Sequence, residues 1–358
     1  MASTDTVVTL PVRSSGTRSL VIVAGSGRSG TSLFAGIMQR LGYTVPGPEV
    51  PADETNPRGF AESQWVVDFH TRLLKRAGVQ VADARPAAWA ATAQVGLEAD
   101  AAAELREWLR SCLAESEHLV IKDPRVSWFL PLWRRSAAEL EAVPRFVTML
   151  RHPAEVIESK QRSYGGSQSE TARAAGWLNQ MLFTERATRD AARIFLRYDD
   201  LLEDWVQAVT RADDRLDLPL VRRASPIAIR SAHEFVDGGL RRSTGDWDAV
   251  AVPAELRAQA EEVWTLVSGL AENPWDDDKE LWVRFDELRA GYSRLYADAE
   301  AMAHSSIAAA SRRGPRAANG RLPTPASWFI RRVPVRYKRR IPAPWRARIV
   351  RALRATRR

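Results

Sequence analysis

The sequence predicts an α/β protein: a three-layer sandwich with a mainly parallel central sheet flanked by helices. Two observations carry this expectation. Four short apolar runs read as strands, SLVIVAG (19–25), HLVIKDP (118–124), PRFVTMLRHP (144–153) and RIFLRYDD (193–200), and stretches of helical apolar spacing separate them. The first run also passes straight through a glycine-rich turn, GSGRSG, into a helix. The 358 residues, 45% hydrophobic with one cysteine, exclude a disordered, collagenous or disulfide-stapled chain. Cys112 has no internal disulfide partner, which points to a reducing compartment.

The elements follow in order. In TSLFAGIMQRLG (31–42), Leu33, Phe34, Ile37, Met38 and Leu41 recur at helical spacing, and Gly42 stops the helix. Residues 43–60 hold four prolines and read as a loop. A second helix is expected over 60–78, with Glu62, Trp65, Val66, Phe69 and Leu73 on one side, and a third over roughly 98–116. Helices are expected near 154–163 and 169–192, and residues 201–299 read as mostly helical with a loop near 236–248. The expected organisation is a flexible lead at 1–16, one domain over 17–300 and a basic tail over 301–358, with no internal repeat.

Charge divides at that last boundary. No Asp or Glu follows Glu300, and 16 of the 52 basic residues lie beyond it; that leaves 36 basic against 44 acidic residues in the first 300, a balance of −8. An acidic body with a basic tail suits a tail that meets an anionic surface, and nucleic acid is not the expected partner of the body. From Ala343 to Arg358, Trp345, Ile349, Val350 and Leu353 share one helical face with arginines elsewhere, the pattern of an amphipathic helix on an anionic membrane. A solvated, unfolded tail is the competing reading. The N-terminus lacks the charged and apolar regions of a signal peptide, and no window of 18 apolar residues occurs. The expected location is therefore cytoplasmic, peripheral on the inner membrane face if the tail binds there.

The chemistry concentrates in Gly25, Ser26, Gly27, Arg28, Ser29, Gly30, Thr31 and Ser32. A glycine-rich turn feeding a helix start aims several backbone N–H groups at one place, where the helix dipole favours negative charge. The spacing Gly25-x4-Gly30 is that of a P-loop, but Thr31 stands where a Walker A motif has Lys, so Arg28 is the cation of the loop. Ligands of open α/β sheets sit beyond the carboxyl ends of the strands. Those ends carry Lys122 and Asp123, then Arg151 and His152 with Ser159 two turns further on, then Tyr198, Asp199 and Asp200.

In this order, GSGRSGTS, IKDPR, RHPAEVIESKQRSYG and RYDDLL resemble the PAPS-dependent sulfotransferases, nearest in form to bacterial members and to the tyrosylprotein and carbohydrate branches. The resemblance covers roughly residues 19–245. It implies a P-loop-like α/β fold and transfer of a sulfuryl group from 3′-phosphoadenosine 5′-phosphosulfate (PAPS) to a hydroxyl or amine, with no metal. It also implies residue roles. Ser26 to Ser32 would hold the 5′-phosphosulfate, and Arg28 would touch the transferring group. Arg151 and Ser159 would bind the 3′-phosphate, as an arginine fork beside a hydroxyl suits a phosphate monoester. Tyr198 would lie near the adenine, Lys122 at the reacting centre, and Arg241 and Arg242 in a loop closing on the 3′-phosphate.

In-line transfer through a loose transition state calls for positioning, charge neutralisation and a base for the acceptor's proton. Glu62, after NPRGF at the expected start of the second helix, is the candidate base; a glutamate fills that role in the tyrosylprotein branch. Cytosolic sulfotransferases place a catalytic histidine where this chain has Asp123 or Pro124. His70 is a substitute for that histidine by type, but it lies about 80° around the helix from Glu62 and is read as a partly exposed surface residue, with His152 as structural. Five histidines and one cysteine show no metal-ligand spacing. The acceptor, a small molecule, glycan or glycolipid, is not specified by any motif. Two rival readings remain: a P-loop kinase or NTPase, and a non-catalytic nucleotide-binding protein anchored by its tail.

Overall fold

The computed structural model describes residues 18–312 except 55, 166–167, 219 and 237–244, with the side chains of 306–312 also left aside. The four expected strands form one sheet: β1 (Ser19–Ala24), β2 (His118–Lys122), β3 (Pro144–Leu150) and β4 (Arg193–Arg197), in the order β2-β1-β3-β4. All three pairings are parallel. Their register sets Val23 beside Lys122, Ala24 beside Thr148, and Leu150 beside Arg197. The residues that leave the sheet next, Gly25, Asp123, Arg151 and Tyr198, therefore emerge along one edge.

Twelve helices follow in chain order among the described residues. They are α1 (Thr31–Arg40), α2 (Gln64–Ala77), α3 (Ala88–Leu97), α4 (Ala99–Glu115), α5 (Leu130–Ala138) and α6 (Pro153–Tyr164). Then come α7 (Glu170–Thr188), α8 (Tyr198–Leu216), α9 (Leu220–Arg223), α10 (Pro226–Phe235), α11 (Ala254–Glu272) and α12 (Lys279–Arg312). Alternation along the strands divides the core between two faces. Leu20, Ile22 and Ala24 pack with Phe69, Leu105, Trp133 and others of α2–α5, while Val21 and Val23 pack with Phe34, Leu201 and Ala232 of α1, α8 and α10. Leu150 and Phe195 face Trp177, Val263 and Phe285 of α7, α11 and α12. A parallel sheet covered on both sides is the predicted three-layer α/β architecture. Among the described residues, no helix is long and apolar enough to cross a membrane.

The structure departs from the expected elements in three places. Residues 88–97 form a helix that periodicity does not signal, because its AWAATAQVGL sequence is apolar on nearly every side and half of its residues are buried. A 3-10 turn at Val126–Phe129 leads into α5, also unforeseen. And α2 begins at Gln64, not at 60. The backbone before it is extended and held elsewhere: the Val50 N–H donates to Glu62 O and the Gln64 N–H to Pro48 O, both at 2.8 Å, and Ala61 adopts φ +50°. Glu62 thus precedes the helix instead of opening it. The chain divides into one unit through Ala297 and a second from Asp298, whose described part is the end of α12.

His70 corrects the expectation of an exposed histidine, since it is 0% exposed. The α2 register turns it inward, where its Nε2 accepts from Trp133 Nε1 at 2.9 Å and its Nδ1–H donates to Asp123 Oδ2 at 2.6 Å. An indole N–H can only donate, so the imidazole is the neutral Nδ1–H tautomer. Asp123 is completed by Arg125, whose backbone N–H and guanidinium reach Oδ1 at 3.1 and 2.7 Å. Burial alone would raise the Asp123 carboxyl, but the hydrogen bond from His70 and those from Arg125 hold it below its ordinary value. A carboxyl lowered in the folded state stabilises the protein above its unfolded pKa and loses that contribution as pH falls. Asp123→Asn should cost about 1–3 kcal/mol at pH 7 in urea unfolding. The gap to wild type should close as pH falls below about 4; a gap that persists unchanged to pH 3 would show that the Asp123 charge contributes nothing.

Candidate functional site

The turn between β1 and α1 is shaped by what lies against it. Gly25 has φ +137°, and a Cβ there would come within 2.6 Å of the Met149 carbonyl oxygen. Gly30, the N-cap of α1, has φ +86°, and its Cβ would fall 2.3 Å from Cδ2 of the Tyr198 ring. Neither position admits a side chain, so the loop backbone is pressed onto the ends of β3 and β4. Between them the Ser29 N–H closes a turn on Ser26 O at 3.1 Å, and Arg28 takes φ +77°, a conformation uncommon outside glycine. The Phe34 N–H makes the first helical bond back to Gly30 O, so the preceding N–H groups of α1 point from the helix start with no intrahelical partner. Ser29 is 1% exposed, and its Oγ has no hydrogen-bond partner. A buried orphan hydroxyl inside such a loop leaves a donor for a bound anion.

Residues from three strand ends meet this loop. Arg28 Nε donates to Ser159 Oγ at 3.2 Å, and Arg151 Nη1 donates to the Arg28 carbonyl at 3.2 Å. Arg151 Nε is held by Glu155 at 2.7 Å, and its guanidinium stacks 4.8 Å above the Tyr198 ring. Burial raises the Tyr198 hydroxyl above its ordinary value and keeps it a neutral hydrogen-bonding group. Arg28, Arg151, Ser159 and Tyr198, predicted from separate motifs, are thus one contiguous group. Arg241 and Arg242 lie outside the described residues. Gly245, where description resumes, sits close enough that its Cβ would meet Glu155 at 3.0 Å and His152 Nδ1 at 3.2 Å. His152 caps α6, accepting from the Ala154 N–H at 3.3 Å, and stands edge-on to Trp247 and Trp264.

On the other side of the loop, Lys122 is buried with all three N–H groups used: toward Ser32 Oγ at 2.9 Å, Phe60 O at 3.0 Å, and Glu62 Oε1 in a close ion pair. Asn56 Nδ2 donates to the same Ser32 hydroxyl at 3.2 Å. Burial pushes the Glu62 carboxyl up against the pull of Lys122, and burial pushes the Lys122 ammonium down against the pull of Glu62. Both shifts bring the proton affinities of the two groups closer together, as proton transfer through the pair requires.

Three contributors were not singled out in the sequence. Lys160, 8% exposed, donates to Ser26 Oγ at 3.0 Å. Gln180 on α7 donates to Pro124 O at 3.1 Å and approaches Gly25 O at 3.5 Å, bracing the start of the loop. Arg125 holds Asp123, as described. A signal for Lys160 existed: only five of the 52 basic residues are lysine, and two of those, Lys122 and Lys160, are buried at the loop. Among the described residues no three His, Cys, Asp or Glu side chains form a cation site. A cavity of about 570 Å³ lined by Trp89, Pro131, Phe183 and three arginines shares no residue with the loop.

No curated protein matches the chain. Among solved structures it is similar to the sulfotransferase domain of the olefin synthase from Synechococcus PCC 7002, with 18% identity and a TM-score of 0.42 over 70% of this chain and 94% of that one. The family described as "Sulfotransferase family" matches residues 21–222, a stretch that holds the loop, Lys122 with Glu62, the Arg151–Ser159 helix and Tyr198. That match spans more than half of the 358 residues, and the chain belongs to the sulfotransferase family.

Proposed function

We propose that the protein uses PAPS as donor and transfers its sulfuryl group to a hydroxyl or amine acceptor. The observation that best supports this is the joining of Arg28, Arg151 and Ser159 by two contacts of 3.2 Å beside a loop with an orphan hydroxyl. Two guanidiniums, a serine and a helix start suit a ligand with anionic groups at two ends, as PAPS has. A bound 3′-phosphate would take Arg151 and Ser159 as partners, releasing Arg28 from Ser159 toward the transferring group.

In the reaction, the acceptor oxygen or nitrogen forms a bond to sulfur as the sulfur–oxygen bond to the 5′-phosphate breaks, leaving adenosine 3′,5′-bisphosphate. Arg28, Lys122 and the loop N–H groups neutralise charge on the transferring group and the departing oxygen. Glu62 receives the acceptor's proton on Oε1, the oxygen that Lys122 holds. Its raised pKa makes it a stronger base than an exposed carboxylate. A Walker-type reading would need Asp123 as the metal-facing aspartate, and both oxygens of that residue are already committed to His70 and Arg125.

We further propose that the basic tail, whose residues 313–358 lie outside the described ones, binds an anionic membrane and keeps the enzyme near a lipid-linked or glycolipid acceptor. Arg331→Glu combined with Arg332→Glu should abolish sedimentation with phosphatidylserine liposomes while leaving donor binding intact. Equal sedimentation would rule out the tail as an anchor.

Adenosine 3′,5′-bisphosphate at 100 times its dissociation constant should stabilise the protein by about 2.7 kcal/mol, visible as a thermal shift. Stabilisation by Mg·ATP alone would overturn the donor assignment. Glu62→Gln should bind the bisphosphate as wild type does and lose about 100-fold or more in kcat. The acid limb of the wild-type rate profile should lie above pH 4.5, the ordinary glutamate value, since activity requires Glu62 ionised. Unimpaired turnover in Glu62→Gln would exclude it as the base.

A further inference from the structure

Two buried ammonium groups bracket the loop, each hydrogen-bonded to one of its serines: Lys122 to Ser32 at the helix end, and Lys160 to Ser26 at the strand end. They differ in what balances them. Lys122 has Glu62 and a carbonyl in addition to its serine, so its charge and all its protons are met within the protein. Lys160 makes one hydrogen bond, and among the described residues no carboxylate pairs with it. Glu155, one turn earlier on α6, is taken by Arg151. The charged group that acts on Lys160 from the facing helix is Arg173 of α7, which has the same sign and is itself bound to Gln161 and Gly165. Burial, with Arg173 adding to it, lowers the Lys160 ammonium to about 8.

A buried cation with one acceptor and a like charge nearby is unfavourable. It gains when anionic oxygens arrive. Ser26 points the same way. Ser26 is 0% exposed and its Oγ accepts from Lys160, so the hydroxyl hydrogen remains to be donated, and no acceptor within the described protein takes it. Three residues further along, Ser29 Oγ is a second buried hydroxyl without a partner. The strand end of the loop therefore holds more donors than the protein has acceptors for.

We propose that Lys160 and Ser26 form a second cationic donor pair of the loop, one that binds the phosphosulfate end of the donor directly and is distinct from the Arg151–Ser159 pair. This inference rests on the PAPS reading. The alternative is that Lys160 is a strut tying α6 to the loop. The two differ in the sign of one measurement: removing a strut destabilises the empty protein, whereas removing an uncompensated buried cation does not.

The test compares the full chain with Lys160→Met, Lys160→Arg and Ser26→Ala, using PAPS and adenosine 3′,5′-bisphosphate in calorimetric titrations, with melting temperatures of the empty proteins. Lys160→Met is expected to melt at or above the wild-type temperature and to weaken PAPS binding by about tenfold or more, as befits loss of charge-assisted hydrogen bonds. Lys160→Arg should recover part of that loss, and Ser26→Ala should weaken PAPS binding without lowering the melting temperature. PAPS binding within twofold of wild type in Lys160→Met, or a lower melting temperature with binding restored at saturation, would make Lys160 a strut and overturn the inference alone. Wild-type protein that binds neither probe would overturn the PAPS reading and this inference together.

Discussion

The Gly30 backbone rests against the Tyr198 ring, at a separation that leaves no room for a Cβ, and the rest of the site is built outward from that contact. The ring carries the Arg151 guanidinium on its face; Arg151 holds the Arg28 carbonyl, and Arg28 in turn reaches Ser159. One chain of contacts therefore connects the ends of β1, β3 and β4. The parallel register makes such a chain feasible, because it delivers all the strand ends to one edge. Glycine at 30 is thus a requirement of packing as well as of backbone geometry. A bulkier residue would move the loop off Tyr198 and part the arginines from the helix start.

Charge around the loop is unevenly compensated. On one side Lys122 and Glu62 neutralise each other, so the fold bears the desolvation of both groups but leaves neither unpaired. On the other side Arg151 pairs with Glu155, while Lys160 has no carboxylate partner among the described residues. Lys160 and the orphan Ser29 hydroxyl are a stability cost, one that the proposed phosphosulfate would lessen. Sites of this kind trade folding free energy for affinity, which localises the cost where the ligand will sit.

Sequence patterns revealed the sheet and the loop because both are periodic or local signals. Strands covered on both faces read as unbroken apolar runs, and a glycine turn between strand and helix has few alternatives. Arg151 and Tyr198 stood out for the same reason, since each directly follows a strand end, with Ser159 in the helix after Arg151. What escaped were features set by tertiary context. Helix α3 has no polar face for periodicity to detect. Glu62 carries a helix-compatible sequence, but hydrogen bonds from Val50 and to Pro48 pull its segment into extended backbone. His70 looked exposed because polarity alone places a histidine outside; Asp123, 53 residues away, and Trp133 supply the partners that let it go inside.

The two buried lysines carry the last step. Elsewhere this chain fills its cationic positions with arginine, 47 times against three lysines. A guanidinium is always charged and offers donors in a fixed plane; an ammonium is compact, aims three donors freely and can release a proton when desolvated. Those properties matter little on a surface and a great deal in a buried site. At 122 the ammonium meets a hydroxyl, a carbonyl and a carboxylate in three directions, which a planar fork could not do. At 160 it reaches from α6 to a fully buried serine of the loop. Both positions thus hold a compact cation against a serine of the loop, an arrangement that suits a small donor group of adjustable charge.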